Sequence, residues 1–180
     1  MGIVYRDGTR VPDPVDAASL ALPVGAPGCP DGPDPGHCFV MSIAVDGYAH
    51  VRLTVTDMSR SRAFYDQVFA LPIAYEVPAD ADEQTRQRLR FLYGGVIYHL
   101  GSGLLGLRPV APEGDRFDED RVGLDHLSFR VPDRNAVHAA AARLDELSIQ
   151  HSGVKDLGQA VLLEFRDPDG IALELYATAG

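Results

Sequence analysis

Near its end the chain reads Asp167-Pro168-Asp169-Gly170-Ile171-Ala172-Leu173-Glu174-Leu175-Tyr176. Glu174 is the residue in this stretch whose chemistry stands out. On a strand, Ile171, Leu173 and Leu175 point one way and Ala172, Glu174 and Tyr176 the other. A carboxylate flanked by apolar residues is either solvated at an edge or placed to meet something positive. His50 and His126, each at the start of an alternating stretch, are the partners the sequence offers. A carboxylate held beside imidazoles can exchange protons near neutral pH.

These groups need elements to position them. Asp-Pro-Asp-Gly is a turn, because proline fixes φ, aspartate bonds nearby backbone N–H groups and glycine tolerates positive φ. His50 to Thr56 alternates, with Val51, Leu53 and Val55 opposite His50, Arg52, Thr54 and Thr56. Asp57 and Ser59 supply capping chemistry for a helix from about Arg60 to Ala70, whose apolar face is Phe64, Val68 and Leu71, widened by Tyr65 and Phe69. Pro72 stops that helix and Ile73 to Val77 reads as a strand. Residues 78–90 are charged, without an apolar face, and read as a mobile loop or short solvated helix over a pocket mouth. Phe91 to His99 and Leu104 to Arg108 read as strands joined by Gly101-Ser102-Gly103. After a connector rich in proline, glycine and acid, Val110 to Arg121, a strand runs from His126 to Val131. A helix from Arg134 to Leu147 follows, then strands near Ser148 to His151 and Ala160 to Arg166.

The two halves repeat. Histidine, valine and aspartate recur in step (50 and 126, 55 and 131, 57 and 133), and Leu71 and Leu147 keep the same spacing. Each half reads strand, helix, then three strands. Half a chain of this length cannot bury both faces of its sheet, so the halves should pack as one domain. The faces bearing His50 and His126 are without a covering helix in either half. If the halves close on each other, those faces form a shared concave surface that Glu174 reaches.

With 26 acidic and 16 basic residues the formal charge is −10, which argues against a nucleic-acid groove or an anionic membrane as partner. A local basic pocket is still allowed. Residues 1–45 form a Pro/Gly-rich arm, and 46–180 form the domain, in modules of about 49–110 and 122–180. Phe39 to Val45 could add an edge strand. The arm is free to wrap a neighbouring subunit in a homodimer. Cys29, His37 and Cys38 could in principle hold zinc, but the adjacent His-Cys pair and the lack of a second ligand pair read better as linker. Two cysteines make no disulfide framework, and no apolar stretch resembles a signal sequence or a membrane span. The expected location is the cytoplasm.

On His50 to Asp57, Ser61-Arg62-Ala63-Phe64-Tyr65, His126 to Asp133, and Asp167-Pro168-Asp169-Gly170 with Glu174, the chain resembles the vicinal oxygen chelate superfamily of glyoxalases, bleomycin-resistance proteins, fosfomycin-modifying enzymes and extradiol dioxygenases. The resemblance covers about 49–178. It implies an α+β fold of two βαβββ modules forming one cup-shaped mixed sheet with helices on the outer face. It also implies metal ligands at His50, His126 and Glu174, with Gly106, which cannot ligate, at the fourth position. Such a set suits Fe2+, Mn2+, Ni2+ or Zn2+ and leaves positions open for a small organic substrate that chelates through two oxygens.

Around this set, Arg52, Arg108 and Arg130 share the inner faces and could clamp an anionic substrate. Tyr176 and His99 are the candidate catalytic groups, and since Tyr98 and His99 face opposite ways only one of them enters the cup. Glycine at 106 removes the base that glyoxalase-type and epimerase-type members use. The extradiol pattern fits at the ligands but fails upstream, where Glu164 holds its tyrosine position and Lys155 to Leu157 lacks its histidine. Dioxygenase-like or isomerase/lyase-like chemistry, a fosfomycin-type transferase, and a metal-free antibiotic-binding protein are the readings that follow.

Overall fold

Alternating apolar residues and three aspartate caps set the local structure. The computed structural model describes residues 43, 45, 47–101 and 103–178. The N-terminal arm with Cys29, His37 and Cys38, and most of Phe39 to Val45, lie outside the described residues.

In β1 (His50–Thr54) every second side chain turns inward. Asp57 then accepts the Arg60 N–H at 3.0 Å and starts α1 (Met58–Phe69), which stops at Ala70 in the left-handed region, φ 48°. β2 (Ile73–Tyr75), the short α2 (Glu83–Arg88), β3 (Val96–Leu100) and β4 (Gly103–Arg108) complete the first module. The second repeats it with β5 (Leu127–Arg130), α3 (Arg134–Glu146), β6 (Lys155–Asp156), β7 (Ala160–Arg166) and β8 (Ala172–Thr178). Asp133 caps α3 as Asp57 caps α1, accepting the Ala136 N–H at 2.9 Å.

The α+β class and the paired βαβββ modules expected from the sequence are what the chain forms. Hydrogen bonding groups the described strands into two four-stranded mixed sheets, ordered β1-β4-β3-β2 and β5-β8-β7-β6. The registers repeat as well. Arg52 pairs with Gly106 as Ser128 pairs with Glu174, so 106 and 174 are the same position in the two modules.

Two strands differ from the sequence reading. Phe91 and Leu92 belong to a 3-10 turn, Arg90–Leu92, followed by Tyr93 at φ 55°, so extended structure begins only at Val96. Ser148 to His151 contains a single bridge, His151 to Phe165, because Ser148 turns the backbone left-handed after α3; the edge strand forms at Lys155 instead.

Both sheets turn their apolar faces into one core. Leu53, Val55, Leu105 and Leu107 from the first meet Phe129, Leu163, Phe165 and Leu175 from the second, with Val137 and Leu144 of α3. α1 lies along β4 of its own sheet, and its Phe69 reaches Phe129 and Phe165 of the other module, with ring centroids 4.8 and 6.2 Å away.

The turn before β8 fastens the modules. Asp169, buried, accepts from the Thr56 N–H (2.9 Å), the Thr56 hydroxyl (2.5 Å) and Arg60 (2.5 Å), all at the junction of β1 and α1. Asp167, also buried, accepts from the Asp169 and Ile171 N–H groups and from the Tyr65 hydroxyl. Burial raises the Asp167 carboxyl above its usual range, and burial beside that carboxyl raises Tyr65 further. Gly170, φ 86°, completes the turn as expected. No described helix is long and apolar enough to cross a membrane.

Candidate metal and ligand site

Because the apolar faces share the core, the polar faces of the two sheets point away from it. On the first, ladder partners place His50, Leu104 and His99 in one row, Arg52, Gly106 and Ile97 in the next, and Thr54 with Arg108 beyond. On the second, Ser128, Glu174 and Glu164 form one row and Arg130, Tyr176 and Leu162 another. Side chains opposite one another on a ladder share a face.

His126 and Glu174 are brought together. His126 Nε2 lies 3.9 Å from Glu174 Oε1; the imidazole is 46% exposed and the carboxylate 13%. Ser128 donates its hydroxyl to the same Oε1 at 2.6 Å. The other ring nitrogen of His126, Nδ1, is bonded to Asp125 Oδ1. A carboxylate on Nδ1–H fixes the tautomer that leaves the Nε2 lone pair facing Glu174. Asp125 and Ser128 had no assigned role in the sequence reading. Their signal was available, as the residue before His126 and the next one on its face.

His50 and His99 are exposed on the first sheet, in the row of Leu104. Among the described residues no three His, Cys, Asp or Glu side chains of the chain are grouped closely enough to hold a metal. Tyr98 is buried and donates to Asp66 at 2.8 Å, which leaves His99 on the polar face. Tyr176 shares the face of Glu174 and is half-buried, while Arg130 is exposed beside it.

Arg52 and Arg108 are engaged on the first sheet. Arg52 runs across Gly106 and donates to the Phe91 and Leu92 carbonyls, at 3.2 and 3.5 Å. The Arg108 guanidinium sits 4.3 Å from the centre of the Tyr93 ring. His151 lies elsewhere, in a surface depression at the end of α3 lined by Asp145 and residues 148–153. Its Nε2 is bonded to Asp145 and its Nδ1 to the Gly153 N–H, so both nitrogens serve the loop.

Against known proteins, residues 47–175 match the model of the "Glyoxalase/Bleomycin resistance protein/Dioxygenase superfamily". The chain is 30% identical over 129 residues to the uncharacterized protein YaeR of Escherichia coli (strain K12), covering 71% of this chain and 92% of YaeR. It is 27% identical over 135 residues to the "Putative ring-cleaving dioxygenase MhqA" of Bacillus subtilis (strain 168), covering 74% of this chain but only 40% of that protein's length. Among solved structures, a glyoxylase/bleomycin resistance protein/dioxygenase domain from Frankia sp. EAN1pec superposes with a TM-score of 0.59 at 28% identity, over 75% of this chain and 93% of its own. A mutant of the fosfomycin resistance protein FosX from Listeria monocytogenes, complexed with Mn(II) and 1S,2S-dihydroxypropylphosphonic acid, gives 0.57 at 19% identity, over 76% and 95%.

Proposed function

Because the chain belongs to the glyoxalase/bleomycin resistance protein/dioxygenase superfamily, we propose that it is a mononuclear divalent-metal enzyme acting on a small organic substrate that chelates through neighbouring oxygens. The observation that carries this reading is the His126–Glu174 pair. Two donors that each sit about 2.1 Å from one ion can be at most about 4.2 Å apart, and these are 3.9 Å apart. Asp125 behind the imidazole and Ser128 on the carboxylate are the kind of outer partners that orient metal ligands.

A third donor is needed, and His50 supplies it from the first sheet of a second copy. In a two-fold dimer the outward polar faces of the two copies can meet, first sheet against second, and each pair of faces then holds His50, His126 and Glu174. Fe2+, Mn2+, Ni2+ or Zn2+ suits two imidazoles and a carboxylate. When bound, the ion would polarise the substrate oxygens it holds. The chain's own groups do the rest. Ser128 and Asp125 keep Glu174 and His126 aimed, and Tyr176 is on hand to take or give a proton at a substrate oxygen. His99 offers a second proton carrier on the facing sheet.

The name of MhqA and the two-imidazole, one-carboxylate set favour oxygen chemistry over isomerase or lyase chemistry. Two cysteines in 180 residues support a cytoplasmic location. Metal content of the protein purified with and without added Fe2+, Mn2+, Ni2+ and Zn2+ tests the reading. Wild type should hold one ion per chain, and His126→Ala and Glu174→Ala should hold none while keeping their fold by circular dichroism. Wild-type stoichiometry in either variant would sink the proposal. A second reading, a metal-free binding protein, is favoured by the absence of a three-donor group among the described residues of one chain; an empty wild type would support it.

A further inference from the structure

We propose that the polar face of the first sheet binds a small aromatic carboxylate, held by Arg52 and Arg108 beneath the rings of Phe91 and Tyr93. The arginines and rings belong to one module, on the face that also carries His50, and binding to them does not depend on the metal.

Charge is the first observation. In a chain of net charge −10, the strand residues on this face are His50, Arg52, Thr54, Gly106, Arg108 and His99 among apolar neighbours, with no carboxylate. The equivalent row of the second sheet carries Glu174 and Glu164. The repeat has therefore diverged: the charged strand residues of the first face are cationic only, while on the second carboxylates stand beside Arg130 and Lys155.

The second observation is the seat of Arg52. A Cβ at position 106 would lie 3.0 Å from Arg52 Cγ and 3.4 Å from its Nε, so glycine leaves the groove in which this side chain lies. The guanidinium thereby takes the place that Glu174 fills in the other module. Two of its five N–H donors are spent on the Phe91 and Leu92 carbonyls. Its Nε is buried with no partner among the described residues. That buried Nε is out of a ligand's reach, but each terminal nitrogen keeps one further N–H, so the held guanidinium is a fixed cation with capacity for an oxyanion.

Those two carbonyls belong to the turn that carries the aromatic rim, so the arginine and the rim are one unit. Phe91, Tyr93 and Tyr75 are exposed; Tyr75 and Phe91 meet edge to face at 6.3 Å, and Tyr93 lies on Arg108, one step along the sheet from Arg52. A planar apolar body lies on the rings while its carboxylate meets the guanidinium groups.

The test is calorimetric titration of the full chain with benzoate and with benzamide, its uncharged counterpart of the same shape, in the presence of a chelator so that metal plays no part. Benzoate should bind saturably and benzamide about tenfold or more weakly, a difference of about 1.4 kcal/mol. Arg52→Met and Arg108→Met should each weaken benzoate by a similar factor. Gly106→Ala should weaken it severalfold by pushing Arg52 aside, and Arg143→Met, on α3 and paired with Glu146, should leave it unchanged. Should Arg52→Met fail to fold by thermal melt, Gly106→Ala and Arg108→Met decide. Absence of saturable benzoate binding, equal affinity for benzamide, or wild-type affinity in the folded arginine and glycine variants overturns the proposal. Metal content, measured separately, tells failure here from failure of the metal reading.

Discussion

Positions 106 and 174 occupy one place in a duplicated fold, yet one is glycine and the other a carboxylate. The chemistry of each face follows from that single difference: glycine admits an arginine, and glutamate meets a histidine. Around Glu174 the supporting groups should be measurable. Ser128→Ala removes the 2.6 Å hydrogen bond to Oε1, and Asp125→Ala frees the His126 ring. Each should lower metal affinity about 10-fold or more without changing stoichiometry, as read by competition with a chromogenic chelator. Asp167 gives a pH signature. Its folded pKa is raised by burial, so its charge costs stability at neutral pH, and that cost disappears as pH falls and the folded state takes up its proton before the unfolded chain does. Asp167→Asn keeps acceptors for the turn and escapes the charge. Its stability relative to wild type should be highest near pH 7 and decline toward pH 4, as followed by urea unfolding.

At the scale of elements, two caps and one turn do most of the positioning. Asp57→Ala and Asp133→Ala each remove an equivalent cap and should cost about 1 kcal/mol apiece. Asp169→Ala strips three donors of a buried acceptor at the module junction and should cost more, about 2–3 kcal/mol, in the same unfolding assay. The sequence made these elements legible wherever pattern and punctuation agreed. Alternation marked β1, β5 and β8, and Asp57 and Asp133 marked the helix starts. It failed at Phe91 and at Ser148. Phe91 to Tyr93 is aromatic enough to read as strand, but the conformation there is set by a left-handed Tyr93 and by Arg52 holding two carbonyls, both tertiary facts. Ser148 likewise turns left-handed without a glycine to announce it.

For the whole molecule, parity tells which face of each sheet is polar but not whether two polar faces converge. That depends on how the modules meet. Phe69 of α1 bridges to Phe129 and Phe165, the apolar faces of both sheets share one core, and the polar ones turn outward. His126 and Glu174 were readable as a pair because they lie on adjacent strands of one module, while the place of His50 was beyond a pattern of types and spacings. Metal binding by the three proposed ligands therefore requires a second copy, and mixing variants tests that requirement most directly. His50→Ala and Glu174→Ala chains, each purified alone, should bind no metal. Unfolded together in equal amounts and refolded, they should recover roughly a quarter of wild-type metal per chain, because half the two-fold dimers are mixed and each mixed dimer holds one intact site of two. Wild-type metal content in His50→Ala alone, or no recovery in a mixture that has formed mixed dimers, would contradict it.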